Sequence, residues 1–308
     1  MTQPGTTPVI VSPSVRAHAR RNGIDVDRLG AEIGREAIAR EDIDRRLANA
    51  PAAEAPAAAT AADGGHARHW AVDHAAYGPV TSEPLSRFAK VSAAAMAAAQ
   101  ARIPAVTHHD VADVSALEAF RAGLKAEAAA RGVRLTALAF HVVALARTLT
   151  DHPRFNAALS EDGETLHLKG YVDVGIAIDA PHGLSVPVIR GADGKGLWTI
   201  AAEIADLAGR AQARKVRPDE MGGAGMTISN LGGIAGRGFT PIVNPPEVAI
   251  LGISRAEVSP VWDGEAFRPR PLVPLDLSYD HRVINGADAA RFLAQYARLI
   301  SDPRRLLL

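Results

Sequence analysis

Tyr279-Asp280-His281-Arg282-Val283-Ile284-Asn285-Gly286 is the stretch on which the reading of this chain turns. Before it, Leu275, Leu277 and Tyr279 alternate with Asp276, Ser278 and Asp280, the period of a half-buried strand. After it, Ala289, Leu293, Tyr296 and Ile300 recur at helical spacing until Asp302-Pro303. His281 therefore stands where a strand gives way to a turn and a helix. Rigid elements on both sides hold an imidazole there in fixed geometry, and a neutral imidazole is a good proton acceptor near neutral pH. A lone histidine in such a turn is more often structural than catalytic, so the rest of the chain has to decide.

The 308 residues suffice for one large domain and a smaller piece, and a hydrophobic content of 47% suits a packed core. Lysine plus arginine equals aspartate plus glutamate at 34 each, which argues against nucleic acid or an anionic membrane as principal partner. Cysteine is absent, excluding disulfides, thiolate zinc sites and cysteine nucleophiles. The longest apolar run, Leu135 to Leu149, is interrupted by His141 and Arg147 and is too short to span a bilayer. Met1 to Thr7 has neither the basic nor the apolar part of a signal peptide, so a cytoplasmic location is the default expectation.

The first segment reads as a small helical module. Ser12-Pro13 supplies an N-cap and a first-turn proline for a basic helix through Val15, Arg16, Ala19 and Arg20, with Gly23 placed to end it. A second helix is expected from about Ala39 to Leu47. Residues 48–67 are mostly alanine and proline, the composition of a semi-stiff tether. Trp70 and Tyr77 then mark an arm expected to lie against the next domain. Further on, Leu117 to Arg131, Leu135 to Thr150 and Leu197 to Ala211 read as helices. Val172 to Asp179 and Leu184 to Ile189 read as a hairpin, and Met226 to Asn230, Val248 to Ile253 and Leu272 to Asp280 as strands. The whole is an α/β pattern, a mixed or largely antiparallel sheet with helices packed on it.

Other chemistries have weaker claims. The glycines at 191–196 lack the spacing of a phosphate loop and suit the approach to a helix; those at 232–236 follow a strand but open no helix, and suit a tight loop near an active site. His108-His109 precede Asp110 and Asp113, but neighbours on a strand point to opposite faces, so no metal is expected. Ser229 and His281 invite a hydrolase reading, yet Thr227-Ile228-Ser229-Asn230-Leu231 lacks the nucleophile elbow, and the Ser229 hydroxyl suits an oxyanion donor.

Asp280-His281-Arg282-Val283-Ile284-Asn285-Gly286 resembles the catalytic signature of the dihydrolipoyl acyltransferases of 2-oxoacid dehydrogenase complexes. Four further stretches fall in that family's order: Arg102 to Thr107, Pro153-Arg154-Phe155-Asn156, Gly183 to Arg190 and Thr227 to Gly232. So does Pro241 to Gly252. The resemblance implies a chloramphenicol-acetyltransferase-like α/β core at residues 68–308 with a mixed sheet and packed helices. Residues 8–47 are similar to the family's peripheral subunit-binding domain, which implies that Arg16 and Arg20 grip an acidic surface of the dihydrolipoyl dehydrogenase or the 2-oxoacid decarboxylase component. It further implies that His281 is the base acting on the coenzyme A thiol, that Ser229 donates to the tetrahedral oxyanion, and that Asn285 holds the turn. The implied reaction is acetyl transfer from dihydrolipoamide to coenzyme A in a pyruvate dehydrogenase type complex. The lysines, Lys90, Lys125, Lys169, Lys195 and Lys215, do not sit in a lipoyl hairpin, so the lipoyl group is expected from another chain. The implied assembly is a homotrimer or a larger shell of trimers, with active sites at subunit interfaces. In Ala93 to Gln100 the family usually carries larger polar and aromatic residues. Two alternatives stand beside this reading: a non-catalytic scaffold, and an acyltransferase with another donor or acceptor.

Overall fold

The computed structural model describes residues 9–22, 24–35, 37–48 and 72–307. They fall into two compact units, residues 1–82 and 83–308. Gly23, the tether at 49–67 and Trp70 lie outside the described residues.

The described residues of the first unit form α1 (Pro13–Arg21), α2 (Val26–Ile33) and α3 (Arg40–Ala48). Ser12 caps α1 as expected, its hydroxyl accepting from the Val15 amide. The middle helix corrects the two-helix reading. Asp25 caps α2 by accepting from the amides of Asp27 and Arg28, and Gly34 ends it in the left-handed region at φ 67°. Val9, Ala19, Val26, Leu29, Ile38 and Ile43 form its small core. Tyr77 sits exposed in a short 3₁₀ turn, His74–Tyr77.

In the second unit α4 (Arg87–Arg102) leads into β1 (Ala105–Asp113), followed by α5 (Ser115–Gly123), α6 (Lys125–Ala130) and α7 (Ala137–Asp151). The single helix expected over 117–131 is thus two, parted after Gly123, which lacks the side chain that favours helix continuity. A small β2 (Ala157–Leu159) and β3 (Leu166–Leu168) hairpin precedes β4 (Val174–Ala177) and β5 (Val188–Ile189), which pair antiparallel as the hairpin reading expects. Then come α8 (Leu197–Gln212), β6 (Met226–Asn230), β7 (Ala249–Ile253), β8 (Glu257–Trp262), β9 (Phe267–Asp280) and α9 (Gly286–Ser301). The main sheet has the order β1-β9-β7-β6-β4-β5, with β8 also paired to β9. It is mixed: β4, β6 and β7 run parallel to one another and the other pairings are antiparallel.

Strand alternation gives the sheet two unlike faces. Ile228, Leu251, Leu275, Leu277 and Tyr279 point to the face covered by α7, α8 and α9 and join the main core with Phe140, Leu145 and Phe292. The opposite parity carries Thr227, Ser229, Gly252, Asp276, Ser278, Thr107 and His109, and this face lies under α4 and the loop after β6. Among the described residues no helix is long and apolar enough to cross a membrane.

Candidate active site

His281 follows directly on β9. Its backbone amide donates to the Pro104 carbonyl at 3.2 Å, so the end of β1 holds the turn from one side. Buried Asp280 holds it from within, accepting from the Arg282 amide at 3.0 Å and from the Arg282 guanidinium at 2.6 Å. Arg154, in the Pro153 to Asn156 motif, donates to the Val283 carbonyl at 2.9 Å. Asn285 caps α9, its side-chain oxygen accepting from the Asp288 amide at 2.9 Å. The imidazole itself is exposed and, beside the Tyr279 ring at 5.8 Å between centroids, has no hydrogen-bond partner among the described residues. Such a scaffold leaves both ring nitrogens free for a substrate.

Ser229 is half-buried near the end of β6, and its hydroxyl likewise has no partner among the described residues. The loop that follows is drawn tight: Asn230 accepts from the Gly232 amide and Leu231 donates to Ile253. This matches the expected tight glycine loop. The other glycine cluster forms the approach to α8, again as expected.

Register places the two candidates far apart in one protomer. Ser229 is opposite Gly252, and Gly252 opposite Asp276, so one row crosses three strands. His281 lies five residues beyond Asp276, roughly 16 Å along the strand and two strands away. Ser229 is thus at the end of the sheet where β7 finishes and His281 at the end where β7 begins. A second copy of the chain is needed to bring a His281 to a Ser229.

The row continues to a pair that the sequence reading missed. Asp276 is opposite His109 on β1, and the two side chains meet at 2.6 Å. Asp276 is buried and its other oxygen accepts from the Phe239 amide at 3.1 Å. His109 is therefore held by a carboxylate, and His108 points to the other face. Among the described residues no cluster of three or more ligand-type side chains is placed to hold a metal. A Cβ at Gly252 would lie 2.8 Å from the Phe239 ring, so only glycine lets that ring lie over β7. Beside this row a cavity of about 450 Å³ opens between α4 and the sheet, lined by Ala99, Gln100, Thr107, His109, Val243 and Ser278. Its α4 wall belongs to the alanine-rich segment.

Two residues before Ser229, the Thr227 hydroxyl donates to Glu247 at 2.8 Å. Burial pushes the Glu247 carboxyl up to about 7, and its second oxygen has no partner. Nearby, burial lowers the Lys169 ammonium, which donates to the Ala224 carbonyl at 2.6 Å. The Pro-Pro-Glu stretch is a visible signal in sequence, but its burial is not.

In the first unit Arg16 and Arg20 line a shallow hollow with Asp25 and Asp27, and neither arginine has an ion-pair partner among the described residues.

A family profile described as 2-oxoacid dehydrogenases acyltransferase (catalytic domain) matches residues 77–308. The chain is 44% identical, over 97% of its length, to the dihydrolipoyllysine-residue acetyltransferase component of the pyruvate dehydrogenase complex of Pseudomonas aeruginosa, and covers 55% of that protein. It is 45% identical, over 96% of its length, to the component of that name from Cupriavidus necator, again covering 55%. The chain thus spans about half the length of the curated relatives it matches. The solved dihydrolipoamide acetyltransferase of Azotobacter vinelandii matches with a TM-score of 0.76 at 49% identity, covering 77% of this chain and 98% of that one. The cubic core of the pyruvate dehydrogenase multienzyme complex matches with the same values. In the Azotobacter enzyme a serine, a histidine and an asparagine were studied for their role in catalysis, and Ser229, His281 and Asn285 have the same sequence separations. With most of its length matched by the family profile and a solved member matching 77% of it at 49% identity, the chain belongs to the 2-oxoacid dehydrogenase acyltransferase family.

Proposed function

We propose that the chain transfers an acetyl group from dihydrolipoamide to coenzyme A within the core of a pyruvate dehydrogenase type complex. The observation that carries this reading is the pair of unengaged side chains, His281 and Ser229, each fixed by its backbone at opposite ends of one sheet. The names of relatives at 44% and 45% identity support the acetyl group and the complex.

The His281 imidazole takes the proton of the coenzyme A thiol, which is only a few per cent thiolate at neutral pH. The sulfur attacks the thioester carbonyl, and the oxyanion of the tetrahedral intermediate accepts from the Ser229 hydroxyl of a neighbouring copy. Collapse expels the dihydrolipoyl sulfur, which receives the proton back from the imidazolium. Nucleophile and leaving group are both thiols, so one base serves both directions. Asn285 acts on the turn, holding His281 through the α9 cap.

The same reading makes residues 8–47 a peripheral subunit-binding domain, 48–67 a tether and 68–308 the catalytic core. Arg16 and Arg20, without ion pairs among the described residues, would meet an acidic face of the dihydrolipoyl dehydrogenase or decarboxylase component. The core would assemble as trimers, alone or in a larger shell. The test is complementation. The chain is supplied with acetyl-dihydrolipoamide, a separate lipoyl domain and coenzyme A, and acetyl-coenzyme A is followed. His281→Ala and Ser229→Ala are each slowed by roughly 10²-fold or more alone, and co-expressed together they regain part of the activity. No recovery on co-expression removes the shared site; no product from the parent chain leaves a scaffold or another substrate pair.

A further inference from the structure

A second cavity, of about 490 Å³, lies on the helix-covered face of the sheet, opposite in strand parity to Ser229. Leu117, Leu138, Ile253 and Val273 give it apolar walls. One polar side chain stands at its floor. The His141 imidazole is 4% exposed; the Tyr296 hydroxyl occupies its Nδ1 at 2.5 Å, which leaves Nε2 as the ring's free polar atom. A polar atom at an apolar floor favours an occupant that can hydrogen-bond it.

The mouth has the opposite character. Arg134 is exposed and has no hydrogen bond or ion pair among the described residues. Arg255 lines the same cavity, one nitrogen donating to the Ile234 carbonyl. The carboxylate on the same rim, Glu118, is already engaged by Arg121 at 2.5 Å and 3.0 Å. The rim is therefore cationic, the walls apolar and the floor polar but uncharged, since burial holds His141 neutral down to about 4.

We propose that this cavity is a binding site for a small carboxylic acid with an apolar body and a hydroxyl or carbonyl group at its far end. The carboxylate meets Arg134 and Arg255, the body fills the space beside Leu138, and the far polar group meets His141. Its size falls within the range of small-ligand pockets. The occupant lies across β6 from Ser229 and leaves the acyl-transfer face untouched.

The test titrates the full chain with 3-(4-hydroxyphenyl)propanoate by ligand-observed NMR and calorimetry. Saturable binding is expected, weaker by roughly 10- to 100-fold for 4-ethylphenol, which lacks the carboxylate, and for the charge-reversing surface variant Arg134→Glu. Leu138→Trp, which fills the space, is expected to abolish it. Coenzyme A does not compete. No binding up to about 10 mM, equal binding of the acid and the phenol, or binding unchanged in Arg134→Glu overturns the proposal.

Discussion

The two faces of the main sheet carry opposite chemistry. Under α7, α8 and α9 the strands present Ile228, Leu251, Leu275 and Leu277, and an imidazole buried there, His141, is pushed down to about 4. One residue along the same strands the parity reverses. There Thr227, Ser229, Asp276 and Ser278 appear, and a carboxyl, Glu247, is pushed up to about 7. Burial acts on both ionisable groups in the same sense, toward the uncharged form. The difference lies in what the faces do. The helix side holds the sheet rigid, and the loop side spends that rigidity on polar groups kept in fixed positions.

The comparison is broken most severely at the reacting groups. His281→Ala is expected to lower kcat by roughly 10²–10⁴-fold and Ser229→Ala by about 10²–10³-fold, with thermal midpoints unchanged, in the coenzyme A assay. Near-normal turnover in the first variant removes the base. Leu145→Ala, on the helix face and fully buried, should do the reverse: about 2–5 kcal/mol less stability in urea with near-parental kcat in the folded fraction. A large kcat loss at unchanged stability would show that the faces are not separable.

A pH series sharpens the contrast. Glu247 keeps its proton in the folded state up to about 7, above the ordinary glutamate value, so its burden is absent below that ordinary value and complete above about 7. Glu247→Gln should therefore gain stability on the parent as pH rises through this window, by up to about 3 kcal/mol. His141 works the other way, its contribution present above its ordinary value near 6.5 and lost as pH falls toward about 4. Urea midpoints at several pH values measure both, and a parent-to-Gln difference that stays flat with pH would show Glu247 ionised throughout. The smallest effect is at the turn. Asn285→Ala should lose about 1 kcal/mol with a reduced kcat, and Asn285→Asp, an equally good cap, should keep the stability. Equal losses in both would mean that the amide does more than cap.

Period and punctuation carried much of this fold in the sequence. The strands at 226–230, 249–253 and up to 280 stand where alternation puts them, and α8 and α9 follow their apolar spacing. What escaped has physical reasons. In α2, Asp25 and Gly34 bracket only eight residues, too short a run for periodicity to stand out. The alanines of α4 give a helix without an apolar stripe, and β8 alternates in a segment that is half exposed. At the site, His281 and Ser229 were legible through their motifs. The His109–Asp276 pair was not, because it depends on the register of strands 167 residues apart. Nor was Glu247, whose character comes from burial that no local pattern records.

That separation also bears on how the chain comes off the ribosome. β9 pairs with β1, β7 and β8, so the largest part of the sheet waits for one late strand. At 5–20 residues per second, the interval between synthesis of His109 and of Asp276 is roughly 8–33 s. Through that interval β1 has no partner in the main sheet, and its exposed Val106 and Val111 are open to mispairing. The nascent chain is most vulnerable just before the segment bearing the candidate base is made, so truncation upstream of residue 267 should send this protein to chaperones or aggregates rather than to a smaller folded core.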